Sequence, residues 1–477
     1  MVLLPELFQH FLPETILSVG VFVLLIIGAW RGEKGFGLVD EMTVALLGLA
    51  ILSIVLSSKP DMAVFDGAFM DDGFSRFMKV LALIGAMASV LMSVDYLQRS
   101  GLEKFEYPLL IILSTLGMML LISADNLIAL YLGLELMSLA LYVLAAFARE
   151  DGYASEAGLK YFVLGALSSG MMLYGSSLLY GFAGTVSFAG IAQAVSDSMP
   201  LGVIFGLVFL LAGLAFKMSA APFHMWTPDV YQGAPTPVTA FFASAAKMAA
   251  VAITARVVMT AFPAASQQWR QIIIFLAIAS TLLGSFAAIG QTNIKRLMAY
   301  SSIGHMGFAL IGLAAGNEAG LKGVALYLAV YLVMTLGSFA AILSMRINGK
   351  AVEDISDLAG LSRTNGLMAF FLAMLMFSLA GIPPLAGFFA KYYVLLAAVD
   401  AGLYPLAIIG VLASAVAAFY YLRVVKVMYF DDPAPQFDAA PFALRAILAV
   451  STIALLVFWI YPTPVMDAAS AAAKSLL

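Results

Sequence analysis

Apolar residues run along this chain in blocks long enough for a helix to cross a bilayer, and polar residues gather in the short gaps between them. Such blocks span 12–30, 38–57, 74–97, 108–123, 125–147, 156–182, 201–230, 236–261, 270–290, 294–314, 319–345, 366–399, 404–429 and 443–461. A hydrocarbon core of ~30 Å takes ~20 helical residues, so the pattern predicts an all-α polytopic membrane protein of about fourteen transmembrane helices. The narrowest gap is 123–126, where Asp125 and Asn126 interrupt an apolar run and are expected to cap the helix that follows. No linker or soluble insertion breaks the series, so 1–477 reads as a single membrane domain.

Composition agrees with this pattern. The chain is 63% hydrophobic and 11% charged, with a mean hydropathy of +1.01, whereas a soluble domain carries roughly 25% charged residues. The net charge of −4 gives no reason to expect a nucleic-acid partner; the expected surroundings are lipid. The opening MVLLPELFQHFLPE has no basic stretch and reads as a retained membrane segment rather than a cleaved signal peptide. Lys and Arg are divided unevenly among the loops. Twelve, from Arg31 and Lys34 to Lys426 and Arg445, fall on one side; Lys59, Arg270 and Lys474 fall on the other, together with the termini. Basic loops stay in the cytoplasm, so both termini are expected in the periplasm.

Two blocks are unusually long. Span 201–230 contains Pro222 and Pro228, and span 366–399 contains Gly381, Pro383 and Pro384 at its middle. Proline removes an N–H and clashes with the preceding turn, so helices seven and twelve are expected to be discontinuous. Irregular backbone at that depth is tolerated only inside protein or beside a watery cavity. The two breaks lie five spans apart, in oppositely directed helices. This suggests two inverted five-helix repeats, spans four to eight (108–261) and spans nine to thirteen (270–429), around a central ion site. The correspondence is imperfect, since Lys217 precedes its break whereas Lys391 follows its own.

The few charges inside the blocks are the candidate chemistry. Glu135, Lys217, Lys247 and Lys391 lie mid-span, where an ionisable group costs at least ~2.5–3.5 kcal/mol and normally faces a partner inside the protein. Burial favours the neutral amine, and a carboxylate at ~4 Å favours the ammonium by ~4 kcal/mol. Movement of Glu135 toward or away from Lys217 would therefore switch the lysine between holding and releasing a proton. The bland alternative is a structural ion pair. Lys160, near a helix end, reads either as a path residue or as a side chain that snorkels to the surface. Arg76, Lys79, Arg256, Lys322 and Arg423 read as snorkelling groups. His224 would share a face with Lys217 if Pro222 did not intervene, and His305 is either a relay or a satisfied core histidine. With no Cys and only His10, His224 and His305, the chain lacks ligands for thiolate-bound clusters or paired haem axial sites, and it has no Gly-rich phosphate loop.

Several long segments carry a resemblance. They are LYLGLELMSLALYVL (with Glu135), AFKMSAAPFHMWTPDVYQGAPTPVTAF (Lys217, His224), SAAKMA (Lys247), QTNIKRLMAYSSIGHMGF (His305) and FSLAGIPPLAGFFAKYYV (Lys391). In order and spacing, over roughly 120–425, they resemble the antiporter-like membrane subunits of respiratory complex I. The resemblance implies a fourteen-helix fold with two inverted repeats and a proton path: Glu135 modulates Lys217, Lys247 connects, Lys391 faces the periplasmic exit, and Lys160 and His224 serve uptake and transfer. It implies a non-redox subunit of NADH:quinone oxidoreductase in a bacterial inner membrane, packed against other membrane subunits. NADH, FMN, iron–sulfur clusters and quinone would be used by those other subunits, with no cofactor held here. Subunits of multi-subunit sodium/proton antiporters share the fold and are the alternative. Lys391 in place of glutamate, and only about sixteen residues after 461, favour one branch of the complex I family.

Overall fold

A computed structural model describes residues 8–57, 59–196 and 199–477; the first seven residues of the expected N-terminal membrane segment lie outside the described residues. The spanning helices are α1 (Leu12–Arg31), α2 (Phe36–Val55), α3 (Gly73–Arg99), α4 (Glu106–Ile122), α5 (Leu127–Ala145), α6 (Gly152–Ala183) and α7 (Leu201–Met218), followed by the short α8 (Thr227–Gly233). After them come α9 (Thr236–Ala261), α10 (Ser266–Ile289), α11 (Ile294–Ala314), α12 (Glu318–Leu343), α13 (Gly366–Ala380), α14 (Ala386–Asp400), α15 (Tyr404–Phe430), α16 (Phe442–Ile460) and α17 (Thr463–Leu476). Among the described residues twelve helices are long and apolar enough to cross a membrane, and they coincide with twelve of the expected spans. The other two expected spans hold shorter apolar helices, α4 of 17 residues and α13 of 15, the latter continued by α14. The protein is a multi-pass helical membrane protein.

Local sequence explains the boundaries. Asn126 accepts from Ala129 N at 2.6 Å, which lets α5 start immediately after α4 ends. Asp72 and Ser75 form a capping box on α3, and Asp151, Asn293 and Asn317 cap α6, α11 and α12. Two small antiparallel hairpins, β1–β2 (Met62–Val64 with Phe69–Asp71) and β3–β4 (Arg346–Ile347 with Lys350–Ala351), close loops between helices. Helix α17 was not expected; it packs on α3, with Ser475 against Gly73.

Burial divides the helices into a shell and a centre. In α1, α2, α6, α15 and α16 no more than 39% of the apolar window is buried, and side chains such as Phe22, Ile26, Leu167 and Ile453 project outward, as lipid contact requires. By contrast α9, α11 and α12 are 100%, 94% and 94% enclosed. These central helices are the ones that carry Lys247, His305, Tyr327 and Tyr331, so their polar groups must find partners in protein.

Small residues set the close crossings. A Cβ on Gly117 would lie 2.3 Å from Met137 N, and one on Gly133 would lie 2.8 Å from Leu121 N, so α4 and α5 touch backbone to backbone. Two charges expected to snorkel are instead buried and paired. Lys79 Nζ meets Glu14 Oε1 at 2.8 Å, joining α3 to α1, and both are almost fully enclosed. Arg256 grips Asp72 through two hydrogen bonds of 2.8 and 2.9 Å, joining α9 to the start of α3. Arg423 donates to the Ile289 and Gln291 carbonyls at 2.6 and 2.5 Å, and Arg76 binds Asp71. Length and depth along a helix misled because the neighbouring acidic partner comes from a different helix.

Candidate functional site

The site lies at the two expected helix breaks. Helix α7 ends at Met218, and Ser219 takes a left-handed backbone with φ 63°. The chain then passes Pro222 irregularly until α8 begins at Thr227, and Ala221 N donates to Ser280 Oγ of α10 at 2.8 Å. The second break separates α13 from α14, with Gly381 left-handed at φ 83°.

Breaking a helix in mid-membrane leaves its last carbonyls without N–H partners and with a partial negative charge. At both breaks a buried lysine uses that end. Lys247 Nζ donates to Met218 O at 2.9 Å and to the Ser219 hydroxyl, and it lies 5.5 Å from the centre of the Trp226 ring. Lys391 Nζ donates to Ala380 O at 2.9 Å and to Ser414 Oγ at 2.9 Å. At each break one amine thus binds one helix-end carbonyl and one serine hydroxyl, from Ser219 in the first break itself and from Ser414 of α15 at the second. The lysine at the first break is Lys247 of α9 and the one at the second is Lys391 of α14, so the break-binding lysine follows its break in both cases, whereas Lys217 turns to α5.

Lys217, in the last turn of α7, reaches back to α5. Its amine donates to Ser138 Oγ at 2.8 Å and to Tyr142 OH at 3.0 Å. Glu135, Ser138 and Tyr142 are spaced i, i+3, i+7 and therefore share one face of α5. Glu135 is half-buried, its Oε1 has no hydrogen-bond partner, and it makes no ion pair with Lys217 within 4 Å. The sequence alone left open whether carboxylate and amine pair, and in this structure they are not in contact; the amine is bound to Ser138 and Tyr142 instead.

His224 lies in the first break, half-buried, with Nδ1 lacking a partner. Lys160 sits at a half-exposed position, its amine 2.6 Å from Asp229 Oδ2 and 2.7 Å from Glu156 Oε1. Arg296 binds the other oxygen of Asp229 at 2.7 Å and Gln232 at 3.1 Å, so α6, α8 and α11 meet at one ionic cluster. His305 is enclosed, with Nδ1 2.6 Å from Tyr327 OH and Nε2 3.1 Å from Tyr421 OH. One hydroxyl donating and one accepting satisfies a neutral imidazole, whichever tautomer is present. The Tyr421 hydroxyl continues to Ser301, and on the same helix Ser302 accepts from Tyr331 at 2.9 Å and lies 3.5 Å from Tyr231 OH. His305 is thus both a satisfied core histidine and a link in a chain of hydroxyls.

Sequence reading missed the hydroxyl groups and Asp229 with Arg296. Ser138 and Tyr142 were within reach, because their spacing from Glu135 puts them on its face. Tyr421, Ser301 and Ser414 offered no such signal, since their roles depend on contacts between distant helices. Among the described residues no cluster of His, Asp and Glu is arranged to hold a metal ion.

Comparison with known proteins gives a consistent pattern. Residues 124–417 match the family described as NADH:quinone oxidoreductase/Mrp antiporter, TM. A protein of Beijerinckia indica subsp. indica named NADH-quinone oxidoreductase subunit N is 67% identical over 473 residues, covering 99% of each chain. A chain of respiratory complex I from Thermus thermophilus with bound aureothin superposes with a TM-score of 0.84 at 34% identity, over 96% of this chain and 99% of that one. A chain of the Mrp complex from Dietzia sp. DQ12-45-1b superposes with a TM-score of 0.88 at 21% identity, over 98% of this chain and 97% of that one, a likeness of fold alone.

Proposed function

The chain belongs to the NADH-quinone oxidoreductase subunit N family, and from that membership and the site geometry we propose that it moves protons across the membrane as a non-redox subunit of the complex. The observation that carries the reading is the set of three buried amines, Lys217, Lys247 and Lys391, each held by hydroxyls or helix-end carbonyls and none by a carboxylate within 4 Å. An enclosed amine without a counter-ion can be neutral or charged according to small changes nearby, which a structural ion pair cannot.

In the proposed order, protons are taken up near the Lys160–Asp229–Arg296 cluster and His224, held at Lys217 under the control of Glu135, passed through Lys247 and the His305 hydroxyl chain, and released near Lys391. When Glu135 approaches Lys217 the ammonium is favoured; when it withdraws, Ser138 and Tyr142 remain as partners for the neutral amine. The arrangement follows fourteen crossings in two inverted repeats, 108–261 and 270–429, supported by the similar use of the two breaks. We place the chain in a bacterial inner membrane with both termini periplasmic, from the distribution of basic loops. NADH, FMN, iron–sulfur clusters and quinone then act in other subunits, and neighbouring membrane subunits pack against the apolar shell.

Replacement of Lys217 or Glu135 by Ala tests the reading in sealed vesicles that hold the whole complex. Expected is loss of proton pumping per NADH oxidised with assembly retained; wild-type pumping in both variants would overturn the path. The alternative, a sodium/proton antiporter subunit, predicts that the chain does not copurify with NADH:quinone oxidoreductase activity.

A further inference from the structure

A cavity of about 1440 Å³ lies between the loop before α4, the end of α5 and the start of α6. Its rim carries Glu106, Glu150 and Asp151 beside Lys104 and Arg149, and its wall descends past Val143 to Tyr142. Liquid water takes ~30 Å³ per molecule, so the space has room for many waters. A smaller cavity of about 290 Å³ shares Tyr96, Ala148 and Asp151 with it and extends to Lys295, Glu353 and Gln232. Of the two residues whose hydroxyls bind Lys217, Tyr142 lines the large cavity and Ser138 does not. Tyr142 is only 7% exposed, and a Cβ on Gly165 would lie 2.1 Å from its hydroxyl oxygen, so the phenol occupies a fitted slot between α5 and α6.

We infer that this cavity is a water-filled port for protons and that the Tyr142 hydroxyl joins it to Lys217, so that protons reach the amine through Tyr142 rather than directly from the Lys160–Asp229–Arg296 cluster. The inference rests on the proposed proton path. A proton arriving on water at Tyr142 is accepted by the phenol oxygen while the phenol proton passes to the neutral Lys217 amine. The O–H reforms as the N–H forms, and the net change is one ammonium. The rim carboxylates gather protons at the mouth. Lys104 and Arg149 partly balance their charge, so the mouth is no strong site for either sign of ion. Val143, Leu159 and Phe162 leave one side of the cavity apolar, to be closed by lipid or a neighbouring subunit.

Two variants test the port in the intact complex. Tyr142→Phe keeps the ring and removes the hydroxyl; a positioned proton-transfer group contributes ~10²–10⁴-fold, so proton pumping is expected to fall at least about tenfold. The chain contains no cysteine, so Val143→Cys gives it one thiol beside Tyr142, and Ile128→Cys places one on an outward position of the same helix. A charged, membrane-impermeant methanethiosulfonate, read as mass added to this chain, is expected to label position 143 and not 128, and labelling at 143 to reduce pumping. If position 143 is as unreactive as 128, lipid or protein fills the cavity and the port is wrong. Normal pumping by labelled Val143→Cys, or by Tyr142→Phe, also overturns it. If Lys217→Ala abolishes pumping in the same preparations, only the port has failed; if Lys217→Ala pumps normally, the path itself has.

Discussion

The Lys217 amine lies 2.8 Å from the Ser138 hydroxyl, one helical turn beyond Glu135 on the same face of α5. Glu135 and Lys217 form no closed ion pair in this structure, and the amine is held instead by hydroxyls on the carboxylate's own face of α5. A hydrogen bond to a charged group contributes about 1.5–3 kcal/mol, so the Ser138 and Tyr142 hydroxyls together are comparable with the ~4 kcal/mol of a carboxylate at ~4 Å.

If Ser138 mediates between the two, the effects of Glu135→Gln and Ser138→Ala on protons pumped per NADH should overlap. Neighbours in one network show interaction energies of about 0.5–3 kcal/mol, whereas independent sites add. A double-mutant cycle on pumping rates in vesicles gives the answer, and strict additivity would remove Ser138 from the path.

The Glu14–Lys79 pair predicts a stability effect without a pumping effect. Removing one partner of a buried ion pair costs about 3–5 kcal/mol, while replacing both with apolar side chains of similar volume is often neutral. Lys79→Met alone should lower the thermal stability of the detergent-purified complex, and Glu14→Leu with Lys79→Met should recover most of it. A Lys79→Met complex as stable as wild type would show that the pair does not hold α1 to α3.

Acid should act through Asp72, which lies outside the spans at the start of α3. Burial pushes its carboxyl up, but the Arg256 charge and hydrogen bonds, aided by those of Ser75, outweigh burial and hold it below the usual carboxylate range. A depressed carboxylate contributes stability that is fully present above its unfolded value of ~3.9 and is lost as the pH falls through the folded value. The stability difference between wild type and Asp72→Asn should be constant from neutral pH to about 4 and shrink below it. Thermal melts across that range check this, and a gap that closes well above pH ~4 would contradict it.

Gly117→Val should disturb the site from a distance. Even the first added carbon would lie 2.3 Å from Met137 N, so α5 must shift, and with it Glu135 and Ser138. Overpacking costs about 1–3 kcal/mol, and pumping should fall with no change at any path residue. A substituted complex with unchanged stability and pumping would mean that α4 and α5 can separate freely.

The sequence by itself determined the membrane class, the position of nearly every span and the two broken helices. These follow from local facts: the length of apolar runs, the missing N–H of proline, and the short polar residues that cap helices. It also located Glu135, Lys217, Lys247 and Lys391 by depth, because a charge in a greasy run stands out whatever surrounds it. Partner choice was decided only by the tertiary structure. Arg256 and Lys79 were read as reaching for water because their acidic partners lie on helices far away in the chain. Lys247 and Lys391 turned out to bind the carbonyl ends of the broken helices, and Lys217 turned to hydroxyls on α5. Depth along a helix is written in one segment, but the direction in which a side chain is solvated depends on which helices enclose it. That enclosure arises only when the helices pack.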